Sequence, residues 1–596
     1  MNPYYYLECK FRSMDAFMQL NLHQTHHEIA DFEGIFKYLT STFQDGSHSG
    51  LHIFPELFLT GYPLQDLPLK KTFIDDYLAF LEDLSIWSER QLKSKSPLAL
   101  LFGGLRYEFD GLGWPAQIEN VMYILEPGKK LRPLYTKQLL PNYDLYEEKK
   151  YFTPGNQSVV FEFQGKNFGL LICEDMWFSH LHDVDPVELL SEQNKKCDMV
   201  INISASPYHL GKIETRINRA LEISQFLEAP FVYVNRVGAE DEIIFDGHSF
   251  VVDGNSVVKM AYGFKSQILS LEMPVYQEPE KGNVRSYHSS TNSWSTIFST
   301  RLSSDTLSLT PMGPKGCQEV LDALLLGIGD YITKNGMKKF TIALSGGMDS
   351  ALVLTIIKLL QKTMPIELEA VFMPGFYSSS VSFDLSYDLC RNLGVKLTTM
   401  PIKFIHSTIK TAYRDNFGAE LKGLADENIQ SRLRGALIYM RSNDLNSVVL
   451  NTSNKSELSV GYSTIYGDSV GALSVLGDLF KSEVFELAHF INANYGGLIP
   501  EDIITRPPSA ELRENQEDSQ SLPPYDRLDP ILEALLSSRF SPADLIKRGH
   551  DKDEVLKVYS LLSKSEYKRK QFCPIIKVKP KSFGFGHRVP ISKKIL

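Results

Sequence analysis

The chain has 596 residues, 43% of them hydrophobic and 22% charged, and a formal net charge of −10. That length exceeds what a single core fills, so two or more globular domains are expected. The acidic balance argues against unspecific binding to nucleic acid or an anionic membrane, and no run approaches the roughly 18 apolar residues of a membrane-spanning helix.

The opening stretch, Met1 to Tyr6, has no basic segment followed by an apolar one, so no secretory signal is expected. The six cysteines (Cys9, Cys173, Cys197, Cys317, Cys390, Cys573) are scattered without a C-x-x-C, which suggests neither a disulfide framework nor a zinc site. A cytoplasmic location is the expectation.

Residues 1–275 read as an α/β domain. Strand-like apolar runs fall at Leu51–Phe54, Leu98–Phe102, Val121–Leu125, Phe168–Ile172, Met199–Ile203 and Phe231–Val234, with helical stretches near Phe73–Leu84 and Arg216–Leu227. Glu56 stands where an apolar strand ends; a carboxylate there is either paired, titrating as a general base, or a strand-exit residue facing water. Lys137, in Leu134–Tyr143, reads by itself as a surface lysine. Cys173 by itself reads as a small core residue, but Glu174, Asp175 and Trp177 follow at once, so the strand has reached a polar rim.

From 276 to 312 the chain turns polar and rich in Ser and Thr, as a linker between domains would. A second α/β domain, 313–596, begins with a helix near Cys317–Tyr331. Lys339–Leu344 is β-branched and apolar, a buried strand; Ala351–Leu360 is a buried helix; Ser345-Gly346-Gly347-Met348-Asp349-Ser350 joins them. Two glycines let the backbone approach an anion, the helix end offers unpaired N–H groups, and the serines add donors. Asp349 suits a phosphate carried with Mg2+. The Gly-Lys-Ser/Thr ending of a Walker loop is missing. Further strands are expected at Leu368–Met373 and Ser447–Leu450, and an amphipathic helix from Asp426. The segment Thr452–Asp468 is too polar for a core strand. From Lys568 onward the chain is basic and rich in Gly and Pro, a tail that wraps rather than packs as a helix.

Taken together, Glu56, Lys137 and Cys173, with Phe152-Thr153-Pro154-Gly155 and Asn202–Pro207, resemble the nitrilase superfamily. The resemblance implies an αββα sandwich in which Glu56 is the base, Cys173 the nucleophile and Lys137 the oxyanion stabiliser, with Glu148 a supporting carboxylate and Tyr143, Ser206 and Lys212 binding glutamine. Arg236, Ala239 and Glu240 depart from it, standing where Gln, Gly and Gln are expected.

The Ser345–Ser350 loop is similar to that of the ATP pyrophosphatases, which implies a doubly wound parallel sheet. The loop leaves the acceptor open among GMP, asparagine, argininosuccinate, thiolated tRNA and NAD synthesis. Asp426–Gly435, Thr452–Glu457, Gly461–Asp468, Asp478–Lys481, Pro507–Leu512, Leu522–Tyr525 and Tyr567–Gln571, in that order, resemble the NAD synthetases. With the first domain, the whole chain resembles the glutamine-dependent NAD+ synthetase family. The resemblance implies ATP contacts from Ala343, Leu344, Ser345, Gly346, Gly347, Met348, Asp349, Ser350, Thr452, Lys481 and Ser509. It implies deamido-NAD+ contacts from Asn428, Glu457, Tyr462, Ser463, Thr464, Ile465 and Lys568, Mg2+ on Asp349 and Glu457, and Ser378 and Ser379 on the adenosine side. It also implies ammonia channelled through a dry passage and a homo-oligomer through synthetase-domain dimers, with small-molecule substrates and neither nucleic acid nor membrane as partner. Two other assignments stay open on the residues: a GMP synthetase-like amidotransferase, and a glutamine-sensing protein with an inactive first domain.

Overall fold

The structure, a computed structural model, describes residues 18–178, 182–280, 282, 284–287, 302, 308–509, 511–514, 516 and 520–594. Cys9 and most of the expected linker 276–312 lie outside them. The chain divides into two compact units, Met1–Glu240 with Phe245–Thr296, and Asp241–Ile244 with Ile297–Leu596. Among the described residues, no helix is long and apolar enough to cross a membrane.

The first unit holds two six-stranded sheets. One contains β1 (Gln19–Gln24), β2 (Gly50–Ile53), β3 (Leu98–Phe109), β4 (Pro115–Leu125), β5 (Arg132–Thr136) and, at its far edge beside β1, the strand Gln267–Glu272. The other contains β6 (Val160–Phe163), β7 (Lys166–Ile172), β8 (Met199–Ser204), β9 (Phe231–Asn235) and the strands Phe250–Val252 and Val257–Met260. In each, the three central strands are parallel. Alternate residues serve two cores, as the two-residue strand period requires. Phe168, Leu170, Ile201 and Ile203 pack inward against Leu20, Leu22, Leu51 and Ile53 of the facing sheet. Leu171 and Val200 point outward to Ile213, Ile217 and Ala220 of the helix Lys212–Leu227. The helices Phe32–Thr42 and Lys71–Arg90 cover the first sheet, completing the αββα sandwich.

Beneath the first sheet lies a buried histidine chain. His23 Nε2 and His52 Nδ1 are 2.8 Å apart, His23 Nδ1 is 3.0 Å from the Tyr38 hydroxyl, and the His23 ring stacks on Phe54 with centroids 4.1 Å apart. Burial first, then His48, lowers His52 to about 3, and burial with its histidine neighbours holds His23 well below the usual imidazole range. Both are neutral in the fold and charge on unfolding. Their stabilising effect is complete above pH about 6.5 and falls as pH drops toward the folded values, by about 1.4 kcal/mol per pH unit per histidine. We expect urea midpoints to fall between pH 6.5 and 4.5, and the His23→Gln/His52→Gln variant to show a flatter profile. Parallel profiles would show that these imidazoles do not govern the acid limb.

In the second unit a parallel five-stranded sheet runs Lys396–Thr399, Glu367–Phe372, Lys339–Leu344, Val448–Asn451, Leu473–Ser474. The helices Met348–Leu360 and Leu424–Leu445 both pack on the central strand Lys339–Leu344. The sequence order reverses there, so a crevice opens at the carboxyl end of that strand, where doubly wound sheets bind ligands. The basic tail is built into the fold: Ile575–Lys579 and Ser582 are buried. Asp478 accepts N–H groups from Val578 and Lys579 at 2.9 and 2.8 Å and pairs with Lys455 at 2.9 Å, while Lys579 pairs with Glu483. These lysines are structural cations, because a buried ammonium requires a partner.

Candidate active sites

The first site gathers at the carboxyl ends of three strands. Glu56 follows β2, Lys137 follows β5 and Cys173 follows β7. Glu56 sits on a turn pressed against Gly103 of β3; a methyl group at Gly103 would lie 2.2 Å from the Leu57 nitrogen, so only glycine leaves room for the carboxylate's turn. Lys137 Nζ donates to Glu56 Oε1 at 2.7 Å and to Glu148 at 2.8 and 3.0 Å. Asn120 also donates to Glu56 Oε1 at 2.8 Å, and the Ala205 N–H to Oε2 at 2.8 Å. All three charged side chains are buried.

Cys173 takes a left-handed backbone angle, φ 48°, on the first residue of the short turn Cys173–Met176. A non-glycine residue held there stores strain, as nucleophile turns do. Two neighbours hold it. Asn202 Oδ1 accepts the Cys173 N–H at 3.0 Å. Asp175 accepts N–H groups from Ile172, Gln138 and Leu139 at 2.9, 3.1 and 2.8 Å, tying the Cys173 turn to the segment that carries Lys137.

Burial, then Glu56, pushes the Cys173 thiol up, so it rests protonated and needs a base. Burial opposes charge on Lys137, but Glu148 and Glu56 more than offset it and hold the ammonium. Burial raises Glu148, with Lys137 opposing.

Of the expected glutamine contacts, Tyr143 donates its hydroxyl to Glu174 at 2.9 Å. Ser206 is fixed by Asn235, which accepts its N–H at 2.9 Å, and by Arg216, whose guanidinium donates to the Ser206 carbonyl at 2.9 Å. Lys212 lies over the Trp177 ring, 4.8 Å from its centroid. Burial raises Glu174 to about 8, with Lys137, the Tyr143 hydroxyl and Lys212 opposing, so it shares Lys137 with Glu56 and Glu148. In the sequence Glu174 stands out only as part of a polar rim, Asn202 and Arg216 only as members of a motif and a helix without a role, and Asn120 not at all. Two of the departures pair with each other: Arg236 donates to Glu240 at 2.8 Å, and its guanidinium lies 4.5 Å from the Phe245 ring centroid.

The second site is a cavity of about 270 Å³ in the second unit. All eight residues from Ala343 to Ser350 line it, with Ser378, Thr452, Glu457, Tyr462, Lys481 and Ser509. The helix Met348–Leu360 starts inside the loop, so Asp349 and Ser350 fall in its first turn with the exposed N–H groups. Gly346 has φ +79°, and a methyl there would lie 2.6 Å from the Ser382 carbonyl oxygen, so the loop hugs the next helix. Asp349 accepts from Asn454 Nδ2 at 3.0 Å and pairs with Lys481. Asn454 also meets Glu457 in a capping box. One asparagine thus brackets both expected Mg2+ ligands. Two carboxylates on one cavity wall are a donor set that suits a hard, oxygen-seeking cation.

Asn428, Ser463, Thr464, Ile465 and Lys568 lie outside the cavity wall but come together beside it. Thr464 Oγ1 donates to Asn428 at 2.8 Å, and Lys568 Nζ donates to the Gly461 and Ser463 carbonyls at 2.7 and 2.6 Å. Asp468 lines the cavity and accepts the Thr464 N–H at 2.6 Å, joining the two groups. Ser379 is not on the wall; it caps the helix Ser380–Leu393. Arg434 and Arg506 line the cavity and were not singled out as contacts, although Arg434 was visible in the Asp426 helix and Arg506 directly precedes the quoted Pro507-Pro508.

Known proteins resemble this chain along both units. Family models described as carbon-nitrogen hydrolase and NAD synthase match residues 22–274 and 320–572. A glutamine-dependent NAD+ synthetase from Acinetobacter baylyi is 36% identical over 547 residues, covering 91% of this chain and 92% of that one. One from Synechocystis is 36% identical over 573 residues, covering 94% and 96%. A solved structure of the Acinetobacter baumannii glutamine-dependent NAD+ synthetase in complex with ADP has a TM-score of 0.67 and 32% identity, covering 96% of this chain and 98% of that one. With similarity running nearly end to end across both sites, the chain belongs to the glutamine-dependent NAD+ synthetase family.

Proposed function

We propose that this chain is a ligase that converts deamido-NAD+ to NAD+ with ATP and glutamine. The observation that carries this is the presence in one chain of a buried Glu56–Lys137–Cys173 set and a glycine-loop cavity at a sheet's switch point.

Glu56 takes the Cys173 proton, and sulfur attacks the glutamine amide carbonyl. The Lys137 ammonium, braced by Glu148, stabilises the oxyanion. Ammonia leaves with the proton from Glu56, and water hydrolyses the thioester to glutamate. Tyr143, Ser206 and Lys212 bind the glutamine.

In the second unit the nicotinate carboxylate attacks the α-phosphorus of ATP and pyrophosphate departs. The loop N–H groups, Ser345, Ser350, Thr452, Lys481 and Ser509 hold the phosphates. Asp349 and Glu457 would hold Mg2+, whose charge offsets that of the phosphates. Asn428, Tyr462, Ser463, Thr464, Ile465 and Lys568 hold the dinucleotide. Ammonia then displaces AMP from the adenylate. Free ammonia is mostly protonated at neutral pH and ammonium is no nucleophile, so nitrogen from glutamine is consumed before it equilibrates with the bulk.

One assay tests the whole reading. Deamido-NAD+, ATP and Mg2+ are incubated with glutamine in a bath of labelled ammonium, following AMP and NAD+. Unlabelled NAD+ formed with equal AMP is expected. Absence of AMP would sink the ligase reading, and label at the bulk fraction would sink the nitrogen transfer.

We further read the chain as a homo-oligomer through its second unit. Phe404, Phe417, Leu424 and Met440 are exposed on the helices Lys403–Phe417 and Leu424–Leu445, an apolar content that suits a subunit interface. A monomeric mass in solution would remove this reading. A cytoplasmic location suits the five described cysteines, which are free thiols; recovery in a secreted fraction would contradict it.

A further inference from the structure

We propose that Arg506 is a further catalytic residue of the second unit, clamping the departing pyrophosphate, and that Glu511 positions it. The inference rests on the reading of the cavity as the ATP site.

Arg506 lines the cavity together with the Ser345–Ser350 loop and Lys481. Its guanidinium donates from NH1 to Ser382 Oγ at 2.8 Å, and from NH2 to Glu511 Oε1 at 2.8 Å and Ser379 Oγ at 3.3 Å. Ser382 is the residue against which Gly346 packs; a methyl on Gly346 would stand 3.0 Å from Ser382 Cβ. The guanidinium is therefore one side chain away from the loop that offers its amides to phosphate. Arg506 remains 27% exposed and Glu511 16%, so the fork is held but not sealed from the cavity.

The arrangement of Glu511 shows what Arg506 is free to do. Glu511 Oε1 also accepts the hydroxyls of Ser379 at 2.9 Å and Ser382 at 2.7 Å, and Oε2 accepts the Ser379 N–H at 3.2 Å. Three donors besides the arginine satisfy this carboxylate. Arg506 can turn N–H groups toward a phosphate without leaving a partly buried anion unpaired. Of the other cations on this wall, Lys481 is already committed to Asp349, and Arg434 donates its Nε–H to the Met373 carbonyl at 2.9 Å.

In the step assigned here, a carboxylate oxygen forms a bond to the α-phosphorus as the bond from that phosphorus to the bridging oxygen breaks. The electron pair goes to pyrophosphate, and no proton moves. Negative charge gathers on the departing oxygens, and a planar guanidinium matches two of them at once, where an ammonium acts as a point charge.

The test uses the full-length chain with saturating ATP, Mg2+ and deamido-NAD+, and ammonium as nitrogen source, so that Cys173 plays no part. Single-turnover pyrophosphate formation is followed. Arg506→Ala is expected to slow it by about 100-fold or more, Arg506→Lys by less, and ethylguanidinium is expected to restore Arg506→Ala by about ten-fold. Glu511→Ala is expected to slow it by about ten-fold without response to ethylguanidinium. Pyrophosphate formed by Arg506→Ala at the wild-type rate would overturn the clamp. So would a slowed variant that ethylguanidinium does not restore, which is the behaviour of a lost structural staple. Wild-type protein that forms no pyrophosphate would instead overturn the reading of the cavity itself.

Discussion

Cys173→Ala is expected to lower glutamine-dependent NAD+ formation by about 10⁴-fold or more, while ammonia-dependent formation stays within about two-fold of wild type. The reason lies in how the thiol is held. Its sulfur is buried beside Glu56 and Lys137, and burial with Glu56 keeps it protonated at rest. In the variant Glu56, held by Lys137, Asn120 and the Ala205 amide, has no thiol to deprotonate, and no thioester can form. Alanine removes the nucleophile and keeps the left-handed turn at about the same strain. The turn remains anchored by Asp175 and Asn202, so the fold has no cause to change. Initial rates with each nitrogen source decide the matter. Intact glutamine use in the variant would end the assignment of Cys173 as nucleophile. Equal loss with both sources would make it a structural residue.

Asp349→Asn is expected to reduce NAD+, AMP and pyrophosphate formation by about 10²- to 10³-fold, from glutamine and from ammonia alike. The substitution keeps the volume and one acceptor for Asn454, whose amide lies 3.0 Å from Oδ1. It removes the charge that Lys481 pairs with and one of the two carboxylates offered to Mg2+. The residue sits in the first turn of the helix Met348–Leu360, on the cavity wall, so the loss falls on the phosphates rather than on the core. Ammonia-dependent synthesis at the wild-type rate would contradict the phosphate role of the loop. Loss with glutamine alone would place Asp349 in the coupling between reactions.

The two predictions differ in how visible their residues were. Asp349 was legible because its surroundings are local: strand, glycine pair, carboxylate and helix lie within one short stretch. Cys173 was legible as the end of a strand meeting a polar rim. Lys137 was not, since an isolated lysine reads as solvated; its burial depends on Glu148, a turn of chain away, and above all on Glu56, which is distant in sequence. Asn120 left no signal at all, being one polar residue inside β4, and its meaning comes from Glu56 across the sheet. Thr452–Asp468 read as too polar for a core strand, yet Ser453 to Ser456 and Ser459 are buried. Their polar groups are satisfied by partners such as Asp529, which accepts the Ser456 hydroxyl at 2.5 Å, and no single segment records such a pairing. Beyond Arg569 the basic tail wraps without an α-helix among the described residues, as its glycines and prolines suggested, but its buried contacts were not legible: Lys579 pairs with Glu483 and Val578 donates its N–H to Asp478, both far away in sequence.

What the sequence determined by itself was the kind of order each segment carries. Hydrophobic periods set the strands and helices, turn chemistry placed the glycine loop between them, and strand ends marked where polar chemistry could begin. Only the tertiary structure decided which of those ends meet. It brought Glu56, Lys137 and Cys173 onto one rim, set Glu457 beside Asp349 through Asn454, and put Arg506 against the wall that supports Gly346. The physical reason is range. Periodicity and capping act over a few residues and are written in the local chain, whereas pairing a buried charge depends on which distant strand the sheet order places next to it.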